Sequence, residues 1–259
     1  MVHTLHRLSK FLQYQKRAKS KYYLHSPFLY QFYLNVLEST DIEALHKLKY
    51  QHTSLLNSQE IVQIEDMGAI PGSTYRRVAD LARTASMPQH YGKVLYNLVK
   101  YFKPHTILEL GTCLGVGTSY LSSASPTAAI TTIEGSKTLS NIAKQNFETW
   151  GLSNITTLHA NFDELLPKVL ASSSPFDLVF IDGNHRYEPT LHYFHLLMGH
   201  AQAGTILIFD DIYWSKEMTN AWQTIKADPR ISLTIDIYRF GICFLRHESL
   251  AKEDFVLRY

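Results

Sequence analysis

The feature that most constrains the fold is a regular alternation of short apolar runs with helical segments from residue 105 onward. Five runs of five or six residues have the length and composition of buried strands, and they span residues 105–110, 128–133, 154–159, 176–181 and 205–209. Segments of helical character follow them at residues 117–124, 137–150, 163–170, 189–200 and 216–226. This alternation predicts βαβ units and a parallel sheet covered by helices on both faces.

Two further strand-like runs, at residues 233–238 and 242–246, break the alternation because only residues 239–241 separate them. No crossover helix fits between them, so the last strand must turn back as a hairpin and run antiparallel. We therefore predict an α/β fold with a Rossmann-like seven-stranded sheet whose last strand is antiparallel. An ordinary nicotinamide-binding Rossmann domain does not need this hairpin.

The first 88 residues have a different pattern. Helical periodicity dominates, and clusters of turn-forming residues interrupt it at 25–27 and 67–73. A Met-Pro pair at 87–88 is a plausible boundary before a new helix at 91–102. We predict a mainly helical N-terminal extension over 1–88, serving as a lid or for substrate or dimer contacts, and an α/β domain over 89–259.

The start of the extension is basic and aromatic. No Asp or Glu precedes Glu38. The basic residues before it include Arg7, Lys10, Lys16, Arg17, Lys19 and Lys21. Such a segment can bind nucleic acid through phosphate contacts and base stacking. It can equally be an amphipathic helix, and we favour this reading, in which Leu5, Leu8 and Leu12 pack against the main domain.

Bulk composition narrows the class of protein. Hydrophobic residues make up 45% and charged residues 19% of the chain, which is ordinary for a globular protein and argues against disorder. The two cysteines are far apart in sequence, which favours a reducing compartment. No run approaches the roughly 20 apolar residues of a membrane span, and the basic N-terminus lacks a secretory signal. We expect a cytoplasmic protein without a membrane span.

In open α/β sheets a ligand binds outside the carboxyl ends of the strands. After the first strand, Gly111 and Gly115 would let a ligand approach the backbone, and the following helix offers amide donors to an anion. A dinucleotide fingerprint would need glycine where Cys113 and Val116 stand. This spacing argues against a bound pyrophosphate.

Later strands end in further polar residues. Glu134 follows the second strand, where an acid would accept hydrogen bonds from both hydroxyls of a ribose. Asn161 and Phe162 follow the third, where an amide and an aromatic ring would hold an adenine. The fourth and fifth strands are followed by Asp182, His185, Asp210 and Asp211. Helix capping is a sufficient explanation for one such acid, but it is a poor explanation for Asp182, Asp210 and Asp211 together.

The order of these motifs resembles one enzyme family. The segment YGKVLYNLVKYFKPHTILELGTCLGVGTSYL, with its E-x-G-T-x-x-G core, resembles the cofactor-binding start of catechol and caffeoyl-CoA type O-methyltransferases. FDLVFIDGNHRYEPTLHYF and AGTILIFDDIYW look like their fourth and fifth strands, and are closer still to relatives that carry I-D-G-x-H. The resemblance covers about residues 90–248. It implies a class I S-adenosylmethionine-dependent methyltransferase.

The resemblance also implies roles for particular residues. The methionine part of the cofactor would be lined by Glu109, Gly111, Thr112 and Gly115, with Asp182 on its far side. Glu134 would bind the ribose, and Asn161 and Phe162 the adenine edge. In cation-dependent members Mg²⁺ or another divalent cation binds at the positions of Asp182, Asp210 and Asp211. The last of these departs from the usual Asn, although its oxygen suits magnesium equally well.

The expected reaction is in-line methyl transfer to an oxygen, with catalysis by His185 and Asp182. His185 is the candidate general base because imidazole titrates near neutrality. The expected acceptor is a small molecule with an aromatic or glycosidic hydroxyl. Three alternatives stay open at this point: methylation of RNA or another nucleic acid, an inactive cofactor-binding module, and, more remotely, a nicotinamide dehydrogenase. A homodimer is also expected.

Overall fold

The structure, a computed structural model, describes residues 2–66, 72–245 and 251–259. The chain divides into two compact units, one of residues 31–162 and the other of the residues up to Tyr30 together with Asp163–Tyr259. The boundary expected at residue 88 stays a prediction. Most of the turn predicted at 67–73 lies outside the described residues, as does Arg246 at the end of the last predicted strand. None of the described helices has the length and apolar character needed to cross a membrane.

The helices are α1 Val2–Arg17, α2 Pro27–Phe32, α3 Ile42–Leu56, α4 Val78–Thr84, α5 Gln89–Phe102, α6 Val116–Ala124, α7 Lys137–Trp150, α8 Phe162–Ser172, α9 Tyr187–His200 and α10 Lys216–Ala227. The strands are β1 Ile61–Asp66, β2 Gly72–Arg77, β3 Thr106–Leu110, β4 Ala129–Glu134, β5 Ile155–His159, β6 Leu178–Ile181, β7 Ile206–Phe209, β8 Leu233–Asp236, β9 Gly241–Phe244 and β10 Glu253–Val256. A 3-10 turn at Lys21–Tyr23 and a π-helical segment at Tyr33–Glu38 complete the described elements.

The predicted α/β fold is confirmed. Eight strands form the main sheet in the order β10-β8-β9-β7-β6-β3-β4-β5, and β1 and β2 form a separate antiparallel pair. The seven predicted strands are β3 to β9, and β9 runs antiparallel to both β7 and β8. The connection from β8 to β9 has four residues, 237–240, which is too short for a crossover helix. All residues of β6, β7, β8 and β9 are buried.

The eighth strand, β10, was not predicted. It pairs parallel with β8, from Glu253 opposite Leu233 to Val256 opposite Asp236. Its four residues include two acids and only one fully buried side chain, so they carry no apolar pattern. Backbone pairing at the sheet edge, rather than periodicity, creates this strand.

In the unit of residues 31–162, helix α5 completes the end of the π-helical segment. The Asn97 amide donates to the carbonyls of Val36 and Ser39 at 2.9 and 2.8 Å, and Lys93 donates to the carbonyl of Leu37 at 3.0 Å. These carbonyls belong to the last turn of a helix, where intrahelical donors are missing. The side chains of α5 therefore supply the hydrogen bonds that this helix end lacks.

In the other unit, α1 is held by the chain terminus through Tyr14. The Tyr14 hydroxyl donates to the carbonyl of Leu257 at 2.7 Å and accepts from the N–H of Tyr259 at 2.9 Å. Tyr14 and Ala18 are buried with Val256, and Tyr238 packs against them. A side chain that combines an apolar ring with two hydrogen bonds thus fixes the helix.

The prediction that Leu5, Leu8 and Leu12 pack against the main domain is wrong. These side chains are 65%, 55% and 54% exposed, on the side of α1 away from Tyr14. Apolar spacing on a helix identifies an apolar stripe, but it does not identify the face that docks. The docked face is chosen instead by the hydrogen-bonding partners of Tyr14.

Replacing Tyr14 by Phe tests this docking. We expect a loss of about 1–3 kcal/mol in the free energy of unfolding, because a buried carbonyl and a buried N–H lose their shared partner. The matched change Leu8→Gln on the exposed face should stay within about 0.5 kcal/mol. Urea denaturation measures both, and a larger loss in Leu8→Gln than in Tyr14→Phe would contradict the observed helix orientation.

Candidate functional site

The loop after β3 has a backbone that few side chains tolerate. Gly111, Cys113 and Gly115 have φ of 104°, 50° and 82°, all in the left-handed region. The N–H of Gly115 donates to the carbonyl of Thr112 at 2.8 Å and closes the turn directly before α6. A Cβ at Gly115 would overlap the buried ring of Phe147. The loop therefore requires glycine at 115 for both its backbone conformation and its packing.

Glu134, at the end of β4, is tied to this loop by its carboxylate. One oxygen accepts from the N–H of Cys113 at 2.8 Å, and the other accepts from the N–H of Ser136 at 2.9 Å. Burial raises the pKa of the Glu134 carboxyl, and these two N–H donors oppose that rise. A carboxylate oxygen accepts more than one hydrogen bond, so each oxygen retains capacity for a hydroxyl. The carboxylate is thus pre-oriented as an acceptor of hydroxyl groups.

Glu109 supports the same loop from within the core. It is buried, and one of its oxygens accepts from the hydroxyls of Thr118 at 2.5 Å and Thr132 at 2.6 Å. Thr112 is also buried and shares a 2.5 Å hydrogen bond with Thr132. The carboxylate and the three threonines form a buried polar network beneath the loop. Glu109 and Thr112 were predicted from the sequence to line the methionine part of the cofactor, and that contact stays a prediction. Thr118 and Thr132 were missed because nothing in the motif marks buried partners.

Asn161 and Phe162 lie at the junction of β5 and α8. Phe162 begins α8, Asn161 precedes it, and both side chains are half-buried. They lie beyond the carboxyl end of β5, as the sequence predicted. Their proposed contact with adenine stays a prediction.

Asp182 and His185 come together in the loop after β6. The His185 Nε2 lies 3.4 Å from an Asp182 carboxylate oxygen. Burial lowers the pKa of His185, but the hydrogen bond and charge of Asp182 and the charge of Asp211 outweigh it, and the net pKa is raised. Burial likewise raises the pKa of Asp182, but His185 and the charge of Arg239 hold it below its ordinary value. The imidazole is therefore oriented and polarised by a neighbouring carboxylate, as a general base requires.

Asp210 is paired with an arginine that the sequence analysis read only as a turn residue. The Nε and Nη2 of Arg239 donate to the two Asp210 oxygens at 2.7 and 2.6 Å, and Nη2 lies 3.5 Å from Asp211. Burial and the charges of Asp182 and Asp211 raise the pKa of Asp210 well above its ordinary range, and the Arg239 guanidinium opposes this. We call Asp182, His185, Asp210, Asp211 and Arg239 the acidic cluster.

The register of β7 and β9 explains why Arg239 lies beside the acids that follow β7. Phe209 at the end of β7 pairs with Gly241 at the start of antiparallel β9. Residues just after Phe209 therefore lie beside residues just before Gly241. The sequence predicts the hairpin of β8 with β9 but not the pairing of β9 with β7, so it does not place Arg239 beside Asp210 and Asp211.

Backbone strain concentrates in these loops. Within residues 2–66, 72–245 and 251–259, six non-glycine residues have positive φ. One is Cys113 in the loop after β3, residues 111–115, which we call the glycine loop. Four others lie in or beside the acidic cluster: Asn184, His185, Asp211 and Tyr238. Such conformations are costly and persist where the surrounding structure determines them, most often at functional sites. Their distribution agrees with the positions that the sequence singled out.

Comparison with known proteins identifies the same region. Residues 108–212 match a family described as a methyltransferase domain. This range contains the glycine loop, Glu134 and all of the acidic cluster except Arg239.

Relatives agree with this match. The chain is 26% identical to a catechol O-methyltransferase of Niastella koreensis over 180 residues, which cover 68% of this chain and 74% of that protein. It resembles the structure of SAH-bound methyltransferase PaMTH1 of Podospora anserina with a TM-score of 0.60, at 15% identity over 86% of this chain and 97% of the other. It also resembles an O-methyltransferase of Bacillus cereus in complex with SAH, with a TM-score of 0.54 at 21% identity over 82% and 94%. These two structures show a shared fold.

The glycine loop is tested by Gly115→Ala against Gly151→Ala. Both glycines have positive φ, but a Cβ at Gly151 meets nothing within 4 Å. Gly151→Ala should therefore cost about 1 kcal/mol in the free energy of unfolding, from backbone strain alone. Gly115→Ala should cost a further ~1–3 kcal/mol, because Phe147 must move. Equal losses in chemical denaturation would show that Phe147 does not enforce glycine at 115.

Proposed function

We propose that the chain is an S-adenosylmethionine-dependent methyltransferase of class I fold that methylates a hydroxyl oxygen of a small molecule. The observation that carries the proposal is the methyltransferase match at residues 108–212, which takes in both strained loops and Glu134. The similarity to a catechol O-methyltransferase supports oxygen as the acceptor atom. An aromatic or glycosidic hydroxyl is the acceptor class that we propose.

The residues of the 31–162 unit fit an adenosyl cofactor. Glu134 would accept hydrogen bonds from the ribose hydroxyls with the capacity that Cys113 and Ser136 leave on each oxygen. Gly111 and Gly115 would let the methionine part approach the backbone, with Thr112 and Glu109 holding the loop from below. Asn161 and Phe162 would contact adenine, and Asp182 is proposed for the far side of the methionine.

A divalent cation, which the resemblance implies, does not fit the acidic cluster. Both oxygens of Asp210 are taken by Arg239, whose guanidinium also lies near Asp211. No group of three His, Cys, Asp or Glu side chains suited to a metal ion occurs in the part of the chain that the structure describes. The proposed mechanism therefore uses protein side chains alone.

In the proposed mechanism His185 removes the proton of the acceptor hydroxyl, and Asp182 orients the imidazole and stabilises its protonated form. S-adenosylmethionine supplies an activated methyl group on a sulfonium, so the protein contributes alignment and charge control. The charged groups around His185 are Asp182, Asp211 and Arg239. Because the two acids outweigh the arginine, the base works best above the ordinary pKa of imidazole.

Nucleic-acid methylation is the second candidate. The acid-free N-terminal segment exposes Tyr22 and Tyr23, and Lys21 lies 5.6 Å from the Tyr22 ring centre. Steep salt dependence of RNA binding would support this candidate, and an absence of binding at low salt would exclude it. An inactive cofactor-binding module is a third candidate, which the paired Asp182 and His185 disfavour.

Two further properties are proposals. A homodimer would cover the exposed Leu5, Leu8 and Leu12, and the mass in solution would test it. A cytoplasmic location suits Cys113 and Cys243, which are both thiols in the structure. Fractionation of cells that produce the protein would test the location.

Cofactor binding is tested by thermal unfolding with S-adenosylmethionine, S-adenosylhomocysteine or NAD. An adenosyl ligand at about 100 times its dissociation constant should stabilise the protein by roughly 2.7 kcal/mol, and NAD should not. Glu134→Gln should weaken adenosyl binding by about 10- to 100-fold, because ribose hydroxyls lose a charged acceptor. Exposed Glu148→Gln on α7 is the control. A folded protein without bound cofactor that responds to neither adenosyl ligand would contradict the proposed function.

His185→Ala should lower turnover by about 100-fold or more at saturating cofactor, while exposed His192→Gln on α9 should not. In the native protein turnover should rise with pH through a pKa above the ordinary 6.5, because neutral imidazole is the base. Asp182→Asn removes the charge that raises this pKa, so the rise should move to lower pH. An unchanged pH profile in Asp182→Asn would remove the pair from the mechanism.

A further inference from the structure

We propose that Arg239 is the permanent cation of the acidic cluster and excludes a divalent metal from it. The inference extends the proposed function, because it concerns how the acids near the proposed base are neutralised. Three acidic side chains this close together can be accommodated by a bound metal ion, by a proton or by a cationic side chain of the protein. The contacts of Arg239 point to the third.

The contact geometry is the first support. Arg239 engages Asp210 through two parallel N–H···O bonds of 2.7 and 2.6 Å, the strongest form of arginine–carboxylate pairing. The Asp210 side chain has no exposed surface, and that of Arg239 is 22% exposed. A metal bound to Asp210 would have to displace these bonds and leave a guanidinium beside a dication. Breaking a buried pair in this way is strongly unfavourable.

The backbone route is the second support. Arg239 lies in the connection from β8 to β9, directly after Tyr238, which has a φ of 72°. Its carbonyl accepts from the N–H of Ile212 at 3.2 Å, so the backbones beside Arg239 and Asp211 are joined as well. The pairing of Phe209 with Gly241 fixes the register of the two segments. Sheet register, not a flexible surface side chain, thus delivers the guanidinium to Asp210.

The pairing also divides the charges of the cluster. Arg239 contacts Asp210, and Asp182 contacts His185. Arg239 therefore holds one acid of the cluster, while a second acid contacts the proposed base. A metal at the same acids would instead take Asp182 as a ligand and draw it away from His185.

The test measures Mn²⁺ binding by the full chain, stripped with chelator, from the EPR signal of free Mn²⁺ at mildly alkaline pH. Wild type should show no Mn²⁺ binding at the cluster up to the highest concentration titrated, and Arg239→Gln should bind Mn²⁺ with a dissociation constant at least about tenfold below that concentration. The control is Arg230→Gln, because Arg230 contacts Asp228 through the same two nitrogens at 2.9 and 2.7 Å outside the cluster. This control should behave as wild type.

Arg239→Lys covers the case in which Arg239→Gln does not fold. It keeps one positive charge, so it should resist Mn²⁺ as wild type does. Tight Mn²⁺ binding by Arg239→Lys would show that the two-point contact, and not the positive charge, excludes the metal. That result would overturn the proposal that Arg239 acts as the permanent cation. Wild-type Mn²⁺ binding that Asp211→Asn abolishes would also overturn it. So would a folded Arg239→Gln that binds no more Mn²⁺ than wild type.

Measuring adenosyl binding and Mn²⁺ binding on the same wild-type protein distinguishes a failure of this inference from a failure of the proposed function. An absence of adenosyl binding in the thermal experiment would contradict the methyltransferase proposal, while the Mn²⁺ results would remain valid. Conversely, wild-type Mn²⁺ binding with normal adenosyl binding would overturn only the role of Arg239.

Discussion

The antiparallel return of β9 beside β7 is the constraint on which the acidic cluster depends. Because Gly241 pairs with Phe209, the chain just before β9 runs beside the chain just after β7. That register brings Arg239 to Asp210 and joins the backbone of Arg239 to Ile212. Asp182, in the same cluster, contacts His185. The pairing of β7 with β9 therefore brings the charges of Arg239 and Asp210 together, although the two residues are distant in sequence.

Carboxylates also stabilise the loop after β3. Glu134 accepts from two backbone N–H groups, and Glu109 gathers the threonine hydroxyls beneath the loop. Ordered in this way, the left-handed conformations of Gly111, Cys113 and Gly115 are maintained by several hydrogen bonds and by Phe147. A pre-ordered loop does not have to pay an ordering cost when a ligand binds. The hydrogen bonds of Glu134 and Glu109 thus order this loop before a ligand binds.

The N-terminal helix shows how an apolar pattern misleads when it is read without partners. Leucine spacing on α1 predicted the docked face, yet those leucines are exposed and Tyr14 is buried. The hydroxyl of Tyr14 contacts backbone atoms more than 240 residues away in sequence, and no local pattern carries that information. Strand β10 was missed for the same reason, because its position comes from pairing with β8 rather than from its own residues.

The sequence by itself determined the α/β plan, the seven strands β3 to β9 and the polar residues that follow them, because these depend on local periodicity and on connection length. Helix α7 illustrates this: Ser136 and Gly151 bound it as capping residues, and its predicted limits match the structure. Only the tertiary structure decided which of the predicted site residues are buried supports, which acid contacts His185, and that Arg239 belongs to the cluster. Such partnerships depend on strand register and burial, which bring together residues that no local stretch of sequence relates.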